Sequence, residues 1–276
     1  MLFRSNEVAL VTGFGPTNSP TAGTLSVIFR LLEIQKKTKI YCHVIISDLG
    51  ALNSRRKKLA DLLKVSERFK RFIKKLGFDY KLGAIRTHNY FDLLRVASLT
   101  SSVLSVNDFE QNKEATEDMY ERLKISGNDF STMVDKNFTV ADILLPAIRD
   151  RKKLVLVVAG LEEHYYPKLS RDVIGRLKKE KGGLRELVSH NPSVCAAYGK
   201  IIEGLFPYVK MSKSIPESSI NIGNTCAEIK EKILNCGDRN EHVILQMMEV
   251  ASDWNQLKIK RAKACFDKRK IGRAHV

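Results

Sequence analysis

Lys210-Met211-Ser212-Lys213-Ser214 places two lysines and two hydroxyls in five consecutive residues. Tyr208 and Val209 precede the string, and the polar turn residues Pro216-Glu217-Ser218-Ser219 follow it. A loop of this composition can close over a triphosphate. Its lysines bring point charges to phosphate oxygens, and its serines and backbone N–H groups bring donors. In a chain with 47 Lys+Arg, a K-x-x-K pair arises by chance as part of a solvated basic loop. The whole string is much rarer.

A second group of residues surrounds a turn. Val8–Gly13 reads as a short buried strand that ends in Gly13-Phe14-Gly15-Pro16-Thr17-Asn18-Ser19-Pro20. A helix is predicted from Thr21 to Lys36, with Leu25, Ile28, Leu31, Leu32 and Ile34 apolar. Gly13 and Gly15 let the backbone approach a ligand. Thr21 and Thr24 set hydroxyls at a helix N-terminus, a ready anion site. The segment is neither GxxxxGK[ST] nor GxGxxG. Taken alone, an N-capping threonine accounts for it equally well.

The elements that must position these residues alternate strand and helix. Ile40–Ser47 reads as a second strand with Asp48 at its end, and Ser54–Leu76 as a basic amphipathic helix. A short strand is predicted near Tyr80–Ile85. Residues 89–128 look helical with polar loops, and Phe138–Leu145 reads as a helix start carrying Asp142. Lys153–Ala159 is the most apolar strand, predicted to be central and buried on both faces. It ends at Gly160, and Leu161–Lys178 is the following helix, broken by Lys178–Gly183. Ala227–Asn235 and His242–Arg269 close the chain as helices. This order predicts an α/β fold: a Rossmann-like, doubly wound parallel sheet with a helical insertion and a short helical C-terminal region. In such sheets ligands sit at the C-terminal ends of the strands. Residues 13–24, Asp48 and 160–163 all fall there.

The 276 residues suit one large α/β domain, alone or with a small appendage. The expected division is a catalytic domain at 1–222, with its insertion at about 89–140, and a basic helical region at 223–276. A hydrophobic content of 43% argues against disorder. The formal net charge of +16 favours a polyanion such as nucleic acid, or an anionic substrate such as a nucleotide. The odd set Cys42, Cys195, Cys226, Cys236 and Cys265 has no C-x-x-C spacing and argues against a disulfide framework. Together with the lack of a signal peptide or a long apolar run, it predicts a cytoplasmic protein without membrane contact.

The chain resembles the catalytic domain of class I aminoacyl-tRNA synthetases, in the tryptophanyl/tyrosyl branch and nearest the tryptophanyl side. Lys210–Ser214 is similar to the KMSKS signature. Thr21-Ala22-Gly23-Thr24 resembles the HIGH-type signature in its Thr-x-Gly form, with Thr24 in the last position. Val140-Ala141-Asp142-Ile143-Leu144 is similar to the family's Ala-Ala-Asp-Ile-Leu segment. Gly160-Leu161-Glu162-Glu163, with Leu169-Ser170-Arg171-Asp172 after it, resembles Gly-x-Asp-Gln … Leu-Thr-Arg-Asp. The likeness covers about residues 8–235.

The resemblance implies amino-acid activation with ATP and Mg²⁺, transfer to tRNA, and a homodimer. Lys210 and Lys213 would hold the departing pyrophosphate, and Thr21 and Thr24 would bond phosphate oxygens. Gly13, Gly15, Gly23, Gly160, Met211, Ser212 and Ser214 would line the nucleotide, with Glu162 on the ribose. Phe14, Asp142 and Glu163 would face the amino acid, tryptophan or a relative.

Three departures from the family pattern stand out. Glu162-Glu163 replaces Asp-Gln, and a carboxylate cannot donate as Gln does. Asp135 and Thr139 stand where a tyrosine pocket would need Tyr and Gln. Only 62 residues follow Ser214, fewer than the family's anticodon-binding domain. The basic tail, including Lys258, Lys260, Arg261 and Lys263, could meet a tRNA backbone. Two further readings stay open: transfer of the adenylate to another acceptor, or a degenerate module that only binds nucleotide or RNA.

Overall fold

The computed structural model describes residues 4–110, 129–199, 202–208, 211–213, 215–235, 241–252 and 254–273. Among them, five parallel strands form one sheet in the order β3-β2-β1-β4-β5. The strands are β1 (Val8–Phe14), β2 (Tyr41–Ile46), β3 (Gly83–Thr87), β4 (Leu154–Gly160) and β5 (Ser193–Gly199). The helices are α1 (Ala22–Thr38), α2 (Asp48–Arg55), α3 (Leu59–Lys75), α4 (Phe91–Ser101), the one-turn α5 (Asn107–Glu110), α6 (Phe130–Ile148), α7 (Tyr165–Lys179), α8 (Cys226–Asn235), α9 (Glu241–Val250) and α10 (Gln256–Arg273). This is the expected Rossmann-like parallel sheet. Helical crossovers join its parallel strands, which two-residue turns cannot do.

Two compact units emerge. Met1–Asn18 with Arg30–Lys200 forms one, and Ser19–Phe29 with Ile201–Val276 forms the other. The first holds the sheet. Its core gathers Val11 and Ile45 with Leu93, Leu144, Val155 and Val173 around α4, α6 and α7. Fully burying one such aliphatic side chain contributes about 1.5–3 kcal/mol. In the second unit Leu205 and Val243 are almost wholly covered.

The strand order reverses between β1 and β4, and there the sheet opens. β1 pairs with β4 only over Val8–Val11, whereas its pairing with β2 continues to Phe14. Past Val157, β4 stays with β5 as far as Gly160. The C-terminal ends of β1 and β4 therefore part at the topological switch point, where open α/β sheets place their ligands.

Several expectations are corrected. The basic helix predicted from Ser54 is two helices. Arg56 takes a left-handed conformation (φ 48°, ψ 33°) and ends α2, and α3 starts afresh at Leu59. The third strand begins at Gly83, because a 3₁₀ turn occupies Tyr80–Leu82. Helix α6 starts at Phe130 rather than Phe138, and Asn137 of its early turns is bonded to Thr100 and the Ala97 carbonyl of α4. It runs through Pro146 to Ile148. The most buried strand is β1, with only Gly13 exposed, while β4 is half-buried at four of its seven positions. β5 was not anticipated; its Ser-Val-Cys-Ala-Ala-Tyr-Gly is too weakly apolar to declare a strand without β4 beside it. The last helix is two, broken after Val250. Of the helical insertion expected at 89–140, residues 111–128 lie outside the described residues. No described helix is long and apolar enough to cross a membrane.

Candidate active site

In the sheet unit the site is built where β1, β2 and β3 end. Gly13 is the penultimate residue of β1. A Cβ placed on it would lie 3.8 Å from Asp142 Oδ2 and 3.9 Å from the Ile45 carbonyl oxygen. Both are ordinary van der Waals distances, so Gly13 places the end of β1 beside Asp142. Phe14 is buried beside Phe69, with ring centroids 6.4 Å apart. Asp142 projects from α6 and is only 6% exposed, so it is not a helix-surface carboxylate.

Its partner is His88, the residue that follows β3, fully buried and packed against Phe138 with ring centroids 4.6 Å apart. His88 Nε2 lies 3.3 Å from both Asp142 oxygens, with hydrogen-bond geometry toward Oδ2. On the other side of the ring, the Gly50 N–H donates to Nδ1 at 3.2 Å. The His88 N–H donates to Asp48 Oδ1 at 2.9 Å, and the Leu49 N–H shares that oxygen at 3.0 Å. Asp135 packs its carboxylate against Gly50, where any side chain would collide with it.

This is a dense set of buried charge. Desolvation raises the Asp142 carboxyl pKa, against the pull of His88. Desolvation likewise raises Asp135, with a Ser54 hydrogen bond opposing it. For His88, burial acts to lower the pKa, yet the Asp142, Asp135 and Asp48 carboxylates together raise it. Asp142 Oδ1 and Asp48 Oδ2 are buried without a hydrogen-bond partner among the described residues. A buried carboxylate oxygen left unmatched costs free energy that a bound donor recovers.

At the end of β4, Gly160 leads into a 3₁₀ turn over Leu161–Glu163. The Glu162 carboxylate folds back over Gly160, in the space a side chain there would need. Glu163 is exposed in the same turn. Gly15 lies just past β1, next to Thr17.

The second unit holds the other two signatures. Thr21 and Thr24 are buried at the start of α1, with their hydroxyls 3.4 Å apart, and Gly23 lies between them. Thr21 forms an antiparallel bridge with Asn221, and the Ile222 N–H donates to the Pro20 carbonyl at 3.1 Å. The α1 start is therefore tied to the chain that follows the lysine-serine loop. In that loop Met211, Ser212 and Lys213 are described; Lys210 and Ser214 lie outside the described residues. Ser212 and Ile215 form a turn, closed by Ile215 N–H to the Ser212 carbonyl at 3.1 Å. Buried Ser218 staples it, accepting the Ser212 N–H and donating to the Ile215 carbonyl. Lys232 of α8 holds the next stretch through the carbonyls of Pro216 (2.6 Å) and Ser219 (2.7 Å).

The sequence profile of the tRNA synthetases class I (W and Y) matches residues 4–273. The chain belongs to this family. Class I synthetases are ligases, and the parallel sheet, switch point and two signature segments fit that membership. The synthetase fold has close parallels in solved structures. One is tryptophanyl-tRNA synthetase of the hyperthermophilic archaeon Aeropyrum pernix K1, with TM-score 0.71, 18% identity, and coverage of 93% of this chain and 70% of that one. A second is the Campylobacter jejuni tryptophanyl-tRNA synthetase complexed with ADP and tryptophan, with TM-score 0.67, 15% identity, and coverage of 93% and 78%. A third is tyrosyl-tRNA synthetase of Archaeoglobus fulgidus complexed with L-tyrosine, with TM-score 0.63, 16% identity, and coverage of 88% and 71%. At such identities the likeness concerns the fold. No curated protein sequence matches this synthetase.

Sequence reasoning missed His88, Gly50 and Ser218. The signal for His88 was within reach: it occupies a strand's C-terminal end, as Asp48 and Gly13 do. Placing the third strand too early hid it.

Proposed function

We propose that this synthetase activates an amino acid with ATP and transfers it to tRNA, with tryptophan or a related side chain as substrate. Family membership over residues 4–273 carries the reading, joined to an intact Lys210–Ser214 string. The substrate carboxylate oxygen attacks the α-phosphorus in line, the bond to the bridging oxygen breaks, and pyrophosphate departs. Catalysis of this kind is positioning and charge stabilisation. Lys210 and Lys213 neutralise the leaving pyrophosphate; Met211, Ser212 and Ser214 shape that loop. Thr21 and Thr24 donate to phosphate oxygens. Gly13, Gly15, Gly23 and Gly160 let the nucleotide approach the backbone, and Glu162 swings from Gly160 to the ribose hydroxyls. Phe14, Asp142 and Glu163 form the amino-acid side, where Asp142 Oδ1 accepts a side-chain N–H and Glu163 pairs with the α-ammonium.

Mg²⁺ would arrive on the phosphates. Among the described residues no group of three or more His, Cys, Asp or Glu side chains could hold a metal ion, and Mg²⁺ commonly relies on phosphate and water ligands. For the tRNA, residues 55–75 hold ten Lys/Arg against two Asp/Glu, +8 of the chain's +16. Lys57, Lys58, Lys64, Arg68, Arg71 and Lys74 are exposed there, the electrostatic footprint of a phosphate backbone.

Amino-acid-dependent ATP–pyrophosphate exchange tests activation, and charging of total tRNA then tests the acceptor. Exchange without charging favours a non-tRNA acceptor. Glu162-Glu163 favours a second reading, a nucleotide-binding module without activation; absence of exchange with every standard amino acid supports it. A homodimer is expected in light scattering.

A further inference from the structure

The His88 ring is held from both sides. Its Nδ1 accepts the Gly50 N–H, so the lone pair at Nδ1 is in use and the ring proton belongs on Nε2. Nε2–H then faces Asp142 at 3.3 Å. Asp142 keeps Oδ1, buried and without a hydrogen-bond partner among the described residues. We infer that His88 is a positioning residue for amino-acid selection: it fixes the Asp142 carboxylate as an ionised acceptor, aimed at a donor on the substrate side chain. This rests on the activation reading above.

The inference stands on the enclosure. Phe138 packs against the ring, with centroids 4.6 Å apart and planes inclined by 35°. Gly50 carries no Cβ, and one there would meet the ring's Cε1 at 3.2 Å, so the approach of its N–H depends on glycine. The charged groups facing the pair are Asp48 from α2, Asp135 and Asp142 from α6, and Arg55 beyond Asp135. A protonated Asp142 would present a donor to the substrate and lose its selectivity for one. The Nε2–H contact opposes that protonation, as His88 lowers the Asp142 pKa against desolvation.

A purely structural His–Asp pair predicts a different outcome. His88→Asn can keep the Gly50 contact but cannot reach Asp142, whereas the amide of His88→Gln can. In ATP–pyrophosphate exchange, His88→Asn should raise the amino-acid KM by about tenfold, the worth of one well-aimed hydrogen bond. Its ATP KM should be unchanged, and the amino-acid KM should rise toward lower pH. His88→Gln should recover most of the affinity. Equal rises in both KM values, or none, in variants that fold by circular dichroism, would overturn the inference. So would ¹⁵N spectra of the wild-type protein showing a protonated Nδ1, which need no activity. Wild-type protein without exchange would instead sink the activation reading.

Discussion

The buried Ser218 hydroxyl accepts the backbone N–H of Ser212 at 2.9 Å. It also donates to the Ile215 carbonyl at 2.7 Å, so one side chain outside the signature string closes the turn that presents Lys213. Ser218→Ala leaves the Ser212 N–H without its acceptor, while the Ile215 carbonyl keeps the Ser218 backbone N–H at 3.0 Å, at a cost of about 1–3 kcal/mol in the positioned loop. Exchange kinetics should show a raised ATP KM and a slower kcat, with the amino-acid KM little changed. An unaltered ATP KM would refute the staple.

Lys213→Ala should slow exchange more than Ser218→Ala, because in the proposed mechanism it removes the charge that meets the leaving pyrophosphate rather than the support of that charge. A Lys213→Ala rate equal to wild type would remove Lys213 from the phosphate role.

Two glycines should respond in opposite directions. Gly50→Ala drives a methyl into the Asp135 carboxylate and the Ser47 hydroxyl, and overpacking of this kind costs about 1–3 kcal/mol. Gly175 lies within α7 with open space where a Cβ would go, so Gly175→Ala should stabilise by about 0.5–1 kcal/mol. Urea denaturation of both variants checks the contrast.

Arg176 grips Asp108 with two bonds, at 2.7 and 2.5 Å, and the Ser105 N–H adds a third. These hold the Asp108 pKa at about 2, below the ordinary 3.8, with the Arg176 hydrogen bond as the largest cause. A depressed carboxylate pKa contributes stability that is present above the unfolded value and is lost as pH falls from about 3.8 towards 2. Partial exposure of Arg176 reduces the contribution to on the order of 1 kcal/mol. Asp108→Asn should weaken the chain at pH 6 and flatten the acid limb of its stability curve.

Burial pushes the Cys42 thiol up to about 12, and its Sγ donates to the Ile40 carbonyl. Cys195, Cys226 and Cys265 are exposed. Mass spectrometry after iodoacetamide treatment at pH 8 should find these three alkylated and Cys42 intact until denaturant is added.

The alternation of apolar strands and amphipathic helices was legible along the chain. Val8–Gly13 and Lys153–Ala159 announce themselves by continuous apolar runs, and the lysine-serine string carries its chemistry in its composition. β5 was not legible, because small, half-exposed residues become a strand only when β4 offers its edge. The break at Arg56 was hidden for a similar reason: the helical period continues across 54–76 while one left-handed residue interrupts the backbone. Legible composition thus determined the sheet class, the basic character and the lysine-serine loop proposed to meet phosphate. Only tertiary structure decided that His88, 54 residues before Asp142, would be its partner. Only tertiary structure tied the start of α1 to Asn221, and parted β1 from β4 where Gly13 and Gly160 stand. Local pattern reports which groups a segment must bury. Which groups then meet depends on strand order and register, set by the packing of residues far apart in the chain.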